Sequence, residues 1–281
     1  MTKIIDGKIL AEVIKDKLVK EIVKLKEARP NLAIILIGER EDSKLYVSLK
    51  EKEAIKIGID THVYKCPVNA PGQEIFDMIS CLNNDNLIDA ILVQLPLPKG
   101  FDTDGIIQAI NPAKDVDRFH PANLEILFKT CDHAQVMPPV HAVVLYMLES
   151  IKFDLKNKQA CIISNSDIFG KSLAKVLECE QAKVKLTNID DKNLNKITSQ
   201  AEVLITAVGK PEFIKKEMIK KDAVIIDIGI TKQGKKVIGD VDFEDVKNKA
   251  SYITPVPGGV GPMTIVMLFK NTLELYKQRH K

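Results

Sequence analysis

Short apolar runs with no polar face recur along this chain. Each is followed by a stretch whose apolar residues return every three or four positions. The clearest run is residues 32–37, which stops at Gly38. Residues 90–95, 160–164, 203–208 and 223–228 share its character, and residues 62–64 and 184–186 are shorter versions. A strand apolar on both faces has to be covered on both, as a parallel strand between helices is. The intervening stretches supply those helices. Leu10, Ile14, Leu18, Ile22 and Leu25 form one stripe before Pro30 breaks it, and residues 42–57, 74–82, 104–110 and 170–177 read the same way. The alternation predicts an α/β protein with a mainly parallel sheet.

The rhythm stops between Asn111 and Val140 and resumes after a connecting helix over residues 143–151. A length of 281 residues suits two ordinary domains. We expect a first domain over residues 1–140 and a second, a doubly wound Rossmann-like parallel sheet, over residues 141–263, the two flanking a cleft. A last helix, with Thr264 as its N-cap, is expected to return residues 264–281 to the first domain. Before it lies Ile253-Thr254-Pro255-Val256-Pro257-Gly258-Gly259-Val260-Gly261-Pro262-Met263-Thr264, with three prolines and three glycines. Such a run suggests backbone held rigidly where a Cβ would obstruct. It serves equally well as a stiff turn between domains.

Composition narrows the function classes. Net charge is only +3 and tryptophan is absent, which argues against nucleic-acid binding. No apolar run is long enough for a membrane span, and the N-terminus shows no signal-peptide core, so a cytoplasmic protein is expected. The five cysteines, Cys66, Cys81, Cys131, Cys161 and Cys179, are odd in number and form no C-x-x-C pair. They read as reduced thiols, without a disulfide frame or a zinc site. His120 and His141 lack the spacing of metal ligands, so no metal is expected.

Candidate chemistry sits at strand ends. Ser43, Tyr46 and Lys50 share one helix face just after the strand that ends at Gly38. A tyrosine ring there can stack on a flat heterocycle, and a desolvated lysine can transfer protons. The plain alternative is a surface tyrosine beside a solvated lysine. Gln94 closes another buried strand and could hold a neutral lysine or simply mark the strand end. Lys114-Asp115-Val116-Asp117 offers two carboxylates, either for paired N–H donors or as a solvated turn. Ser164-Asn165-Ser166-Asp167-Ile168-Phe169-Gly170-Lys171 links a strand to a helix whose free amides suit a phosphate. Thr206-Ala207-Val208-Gly209-Lys210-Pro211 and Asp227-Ile228-Gly229-Ile230 are strand ends whose glycines let a ligand approach.

Together these segments resemble the bifunctional methylenetetrahydrofolate dehydrogenase/methenyltetrahydrofolate cyclohydrolase family, nearly end to end. The resemblance rests on Ser43-x-x-Tyr46-x-x-x-Lys50, Ile91-Leu92-Val93-Gln94-Leu95-Pro96-Leu97-Pro98, Lys114-Asp115-Val116-Asp117 with Phe119-His120-Pro121, Ala207-Val208-Gly209-Lys210-Pro211, Asp227-Ile228-Gly229-Ile230, Gly239-Asp240-Val241 and the Pro/Gly run. It implies NADP-dependent oxidation of 5,10-methylene-tetrahydrofolate and hydrolysis of the methenyl product to 10-formyl-tetrahydrofolate, in a homodimer. It implies roles as well: Lys50 catalytic, with Gln94 bonded to it and Ser43 in support; Tyr46 stacked on the folate; Asp117 on the pterin; Leu95, Pro257, Gly258 and Gly259 as further folate contacts; Ser164, Asn165, Ser166, Ile189, Gly209 and Ile230 at the cofactor.

The second half departs from the family pattern. Ser164-Asn165-Ser166 replaces Gly-Arg-Ser, and Asn165 lacks the charge that the arginine offers a 2′-phosphate. Asn188-Ile189 replaces His-Ser and is followed by Asp190 and Asp191, which suit a free ribose hydroxyl, so NAD is the alternative cofactor. Ser172 replaces a proline. Met137-Pro138-Pro139-Val140-His141 replaces Cys-Thr-Pro-x-Gly. Arg118 and Glu125 replace glycines. Three readings follow: the bifunctional enzyme, a cyclohydrolase-only descendant with a failed dinucleotide site, and a non-catalytic folate-binding subunit. The intact Ser43, Tyr46, Lys50, Gln94 and Asp117 set favours the first.

Overall fold

A computed structural model describes residues 2–26, 28–131, 137–234 and 236–280. Residues 132–136, inside the stretch where the sequence rhythm pauses, lie outside the described residues. In chain order the first elements are β1 (Lys3–Ile4), α1 (Gly7–Val23), β2 (Asn31–Ile37), α2 (Glu41–Ile57), β3 (Asp60–Cys66), α3 (Gly72–Asn84), β4 (Ala90–Val93), α4 (Thr103–Ala109) and α5 (Pro121–Lys129). Then follow α6 (Pro139–Ser150), β5 (Gln159–Ser164), α7 (Asp167–Cys179), β6 (Lys183–Thr187), α8 (Leu194–Thr198), β7 (Val203–Ala207), β8 (Val224–Asp227), β9 (Thr231–Gln233), β10 (Lys236–Ile238), α9 (Phe243–Val246), β11 (Tyr252–Ile253) and α10 (Val260–Arg279).

The chain divides into two compact units. One comprises Glu12–Ile126, Ala134–Pro139 and Ile265–Lys281; the other comprises Met1–Ala11, Leu127–His133 and Val140–Thr264. The expected division at residue 140 therefore needs a correction at the N-terminus. β1 pairs in parallel with β11, Lys3 opposite Tyr252, and so joins the sheet of the second unit. That pairing spans nearly the whole chain, and two residues of strand give no local signal of it.

The first unit holds a three-stranded parallel sheet in the order β3-β2-β4. Leu32 to Ile37 of β2 are all buried, as a run without a polar face requires. Ala33, Ile35 and Ile37 pack with Ile75 and Ile79 of α3, Ile91 and Val93 of β4 and Ile106 of α4. Each of these isoleucines and the valine contributes about 1.5–3 kcal/mol when fully buried. α2 begins with Glu41 and Asp42, favourable at the positive end of a helix, and stops at Gly58 (φ +93°), whose N–H bonds to the Ala54 carbonyl.

The second unit holds a six-stranded parallel sheet in the order β1-β11-β8-β7-β5-β6. Its core gathers Cys161 and Ile163 of β5, Leu204 of β7, Ile225 of β8, Val241, Val246 and Ile253. β5 is flanked by β6 on one side and β7 on the other, so the winding direction reverses at this strand.

Two more expectations are corrected. Cys131 and Cys179 are disulfide-bonded, their Cα atoms 5.5 Å apart, whereas Cys66, Cys81 and Cys161 are free. The partners are 48 residues apart, and only the placement of Cys179 at the end of α7 brings them into bonding range. Thr264 is not an N-cap. α10 starts at Val260, and the Thr264 hydroxyl donates to the Val260 carbonyl at 3.1 Å. Pro262 is tolerated because it falls in the first turn, where an N–H has no helical acceptor. No helix among the described residues is long and apolar enough to cross a membrane.

Candidate active site

In the first unit the buried stripe of α2 is Ser43, Val47, Lys50, Ala54 and Ile57. Helical spacing thus carries an amine into the core end of β2 and β4. Lys50 is 9% exposed, and its Nζ donates to Gln94 Oε1 at 2.7 Å. Gln94 follows the last residue of β4, with its N–H on the Ile35 carbonyl and its Nε2 donating to the Leu95 carbonyl at 2.7 Å. Both ends of the carboxamide are therefore committed, and the oxygen faces Lys50. Burial pulls the Lys50 pKa below the ordinary lysine value, and Asp117 partly offsets this. A hydrogen-bonded, desolvated lysine of this kind gives up its proton more readily than a solvated one, as a proton-transfer group requires.

Asp115 and Asp117 separate into different jobs. Asp115 Oδ2 accepts from the His120 N–H at 2.8 Å and from Asn123 Nδ2 at 3.0 Å, so it fixes the loop. Lys114 Nζ donates to the Leu82 and Asp85 carbonyls, closing the end of α3. Asp117 retains some contact with solvent but lies deep among protein atoms. That burial pushes its carboxyl up to about 6, with Lys50 pulling the other way and Asp115 adding to the rise. Arg118, where the family pattern has glycine, adopts φ +62° and is buried. Tyr46 is half-buried on the same helix, and burial, followed by Asp42, raises its phenol pKa. Ser43 Oγ is buried without a hydrogen-bond partner among the described residues, so the structure places it on the stripe but not in a bond to Lys50.

In the second unit, parallel register brings Ser164, Ala207 and Asp227 to one edge of the sheet, with Ser164 opposite Ala207 and Thr206 opposite Asp227. This is the carboxyl end at the reversal of winding, where open α/β sheets bind ligands. Ser164 Oγ accepts from the Ser166 N–H at 3.0 Å, and Ser166 Oγ caps α7 by accepting from the Phe169 N–H at 3.3 Å. Asn165 Nδ2 donates to the Val208 carbonyl at 3.1 Å. Gly170 is required by packing: a Cβ there would lie 2.6 Å from Leu186 Cδ1.

Two buried carboxylates, named in the sequence only as members of their segments, shape this edge. Asp240 accepts from Thr206 Oγ1 at 3.0 Å, the Val208 N–H at 2.7 Å and the Lys210 N–H at 2.9 Å. Asp227 accepts from the N–H groups of Gly229, Asp240 and Val241. Gly229, read as an opening for a ligand, is filled instead: a Cβ there would lie 2.1 Å from the Asp240 carboxyl carbon, just as one on Gly239 would lie 2.1 Å from Asp227 Oδ2. Burial, reinforced by Asp240, drives the Asp227 carboxyl up to about 7, against the pull of its backbone donors. Gly209 (φ +68°) does face open space, and Ile230 is exposed. Ile189 packs instead against the core of the unit. Asp191 accepts from Thr187 Oγ1 at 2.9 Å and the Asn193 N–H at 2.8 Å, while Asp190 is exposed.

The Pro/Gly run packs within the same unit against the start of α1. A Cβ on Gly7 would lie 1.8 Å from the Gly259 oxygen, and one on Gly259 2.6 Å from the Pro255 oxygen. Gly258 needs φ +110°, and the Val256–Pro257 peptide is cis, as is Leu95–Pro96. Among the described residues no cluster of His, Cys, Asp and Glu could hold a metal ion.

Comparison with known proteins supplies the remaining evidence. Residues 5–117 match the model of the tetrahydrofolate dehydrogenase/cyclohydrolase catalytic domain, and residues 138–280 match that of the NAD(P)-binding domain. A bifunctional FolD protein of Nitratiruptor sp. is 44% identical over 282 residues, 99% of each chain. The crystal structure of the bifunctional FolD enzyme from Campylobacter jejuni is similar with a TM-score of 0.94, at 39% identity, over 99% of this chain and 100% of the other. That of Trypanosoma brucei FolD, complexed with NADP and an inhibitor, has a TM-score of 0.95 at 31% identity, over 100% and 99%.

Proposed function

This chain belongs to the tetrahydrofolate dehydrogenase/cyclohydrolase family, and from that premise we infer how its own residues carry the two reactions. It is a bifunctional one-carbon enzyme. It oxidises 5,10-methylene-tetrahydrofolate to the 5,10-methenyl form with a nicotinamide dinucleotide and hydrolyses that product to 10-formyl-tetrahydrofolate. The observation that carries the assignment of roles is the 2.7 Å bond between Lys50 and Gln94 in a desolvated setting.

In the hydrolysis, water forms a C–O bond to the methenyl carbon. One C–N bond then breaks, leaving the formyl group on the other nitrogen. Both protons must leave the water oxygen: one is released to solvent, because the methenyl cation gives a neutral product, and one reaches the departing nitrogen. Lys50, its pKa lowered, takes and returns that proton. Gln94 offers only its oxygen to Lys50, which orients the amine. Asp117, the carboxylate not consumed by its own loop, accepts from the pterin N–H groups, and Tyr46 lies flat on the ring. Ser43 Oγ supplies one further hydroxyl to this set. The family pattern adds Leu95 and the Pro257-Gly258-Gly259 turn to the folate contacts.

In the oxidation, a bound dinucleotide would supply the hydride acceptor. The chain contributes positioning, because the two folate nitrogens already stabilise the cation. Ser164, Asn165, Ser166, Gly209 and Ile230 fit a dinucleotide, at a strand edge shaped by Asp227 and Asp240 and a capped helix start. Two lysines close to this loop in sequence have other contacts: Lys171 Nζ lies 2.8 Å from Asp167, and Lys210 Nζ sits over the Phe213 ring at 4.4 Å. We therefore assign weaker NADP binding than the family pattern confers, with NAD as a competent alternative beside Asp190. A cytoplasmic homodimer is part of the same proposal, and light scattering on the purified protein tests the dimer.

The decisive test is Lys50→Met, assayed separately for both reactions. Loss of hydrolysis in a folded variant supports the assignment, and wild-type hydrolysis refutes it.

A further inference from the structure

Two departures from the family pattern, distant in sequence, meet in the fold. His141 stands in the place of the glycine of Cys-Thr-Pro-x-Gly, in the first turn of α6. Ser172 stands in the place of a proline, inside α7. Both are 0% exposed, and His141 Nε2 lies 2.7 Å from Ser172 Oγ. The Ser172 hydroxyl donates back along its own helix to the Ile168 carbonyl at 2.7 Å, with the Phe169 carbonyl at 3.2 Å. Its one proton is thereby spent, so Oγ accepts from the imidazole, which carries its proton on Nε2. Burial lowers the His141 pKa to about 3, so the ring is a neutral donor and not a charge. The imidazole also meets the Phe169 ring edge-on, centroids 5.2 Å apart and planes at 77°.

The consequence is a grip by α6 on Phe169 and Ser172 of α7, with Ser172 bonded in turn to residue 168 of its own helix. This is the turn that Ser166 caps through the Phe169 N–H, and it continues back into Ser164 and Asn165 at the end of β5. A proline at 172 would lack the N–H, and its ring would press on the Ile168 carbonyl that Ser172 now uses. A glycine at 141 would leave the volume of an imidazole empty. Gly with Pro, and His with Ser, are thus two ways of packing one junction, and neither member of one pair suits the other.

We propose that His141 and Ser172 act together as positioning residues for the dinucleotide, setting the first turn of α7 and with it the Ser164–Asn165–Ser166 loop. The proposal rests on the reading of that loop as a cofactor contact, and the experiment separates the two. NAD⁺ and NADP⁺ are titrated calorimetrically into the full-length protein and its variants. Ser172→Ala, which removes one oxygen and needs no repacking, is expected to weaken both dinucleotides about tenfold, with kcat/KM for methenyl hydrolysis unchanged. His141→Gln keeps a donor and is expected to bind within about twofold of the parent, whereas His141→Leu, of similar bulk without a donor, weakens binding as Ser172→Ala does. Asn165→Arg is the control on the loop, expected to shift NADP⁺ affinity. If Asn165→Arg shifts it but Ser172→Ala and His141→Leu bind like the parent, the positioning role is wrong and the loop reading stands. If none of the three moves binding, the loop reading falls too. If Ser172→Ala does not fold, the Gln and Leu variants decide: equal affinities overturn the proposal.

Discussion

The two catalytic halves of this protein are built on different principles. In the first unit the proposed chemistry belongs to side chains: an amine on a helix stripe, a carboxamide at a strand end and a carboxylate in the loop after α4. In the second unit the shape of the edge belongs to the backbone. Asp227 and Asp240 collect five backbone N–H groups, from Val208, Lys210, Gly229, Asp240 and Val241, and hold the strand ends in position. A site of the first kind fails when a named side chain changes. A site of the second kind survives a changed side chain as long as the backbone is still held, by the carboxylates, the glycines beside them and a packed pair such as His141 and Ser172. That is why Asn165, Ser172 and His141 can stand in a unit that still matches the NAD(P)-binding domain.

The largest expected effect breaks the first half alone. Lys50→Met should lower hydrolysis by about 10²- to 10⁴-fold, the usual worth of a positioned proton-transfer group. It removes a desolvated amine, so the melting temperature should hold or rise. Dinucleotide binding, measured by calorimetry, should not move. A parallel collapse of binding would show that the two halves are not separable in this way.

The next largest effect breaks the second half. Asp240→Asn keeps the size but turns one acceptor into a donor facing Val208, Lys210 or Thr206. Leaving such buried donors unmet costs about 2–3 kcal/mol, read from denaturant unfolding of the second unit. Both dinucleotides should bind at least tenfold more weakly. Relief of the Asp227–Asp240 repulsion offsets part of the cost, so a small loss of stability with intact binding would mean that the carboxylate does not shape the cofactor edge.

The same contrast explains what could be read without coordinates. β2, β5, β7 and β8 were visible because consecutive apolar residues leave no alternative to burial. Helical spacing and a strand end made Lys50 and Gln94 candidates one by one, and the family resemblance implied their pairing. Pairings that join distant segments carried no local signal: β1 on β11, Cys131 on Cys179, and His141 on Ser172. α5 was hidden by the proline at its first position, which marks a break and a helix start equally well. The role of Gly229 was misread because a glycine that admits a ligand and one that admits a carboxylate look the same in sequence.

Acidity sharpens the comparison within the first half. The Asp117 pKa rises from 3.8 to about 6 on burial, so the folded protein holds this proton longer than the unfolded chain does. From this group alone, stability falls as pH rises between those values. Activity should run the other way, because only the ionised carboxyl can accept both pterin N–H groups. The acid limb of kcat/KM for hydrolysis should bend near pH 6, as a property of the coupled Lys50–Asp117 pair. Asp117→Asn should lower the plateau and remove the bend. A bend that persists in that variant would belong to another group.

The smallest effect tests whether the second half tolerates a restored side chain. Asn165→Arg puts a cation back where the Asn165 amide now only ties the loop to Val208. A guanidinium against a solvent-facing phosphate should raise NADP affinity several-fold, and the NADP-to-NAD ratio with it, while Asp190 and Asp191 nearby hold the gain down. The gain should fade as salt is added, since the new contact is exposed. NAD affinity should change little, because its ribose hydroxyl has no charge to answer. An unchanged ratio at low salt would place the 2′ position away from this loop, and the preference would then have to be sought around Ile189 and Asp190 at the end of β6.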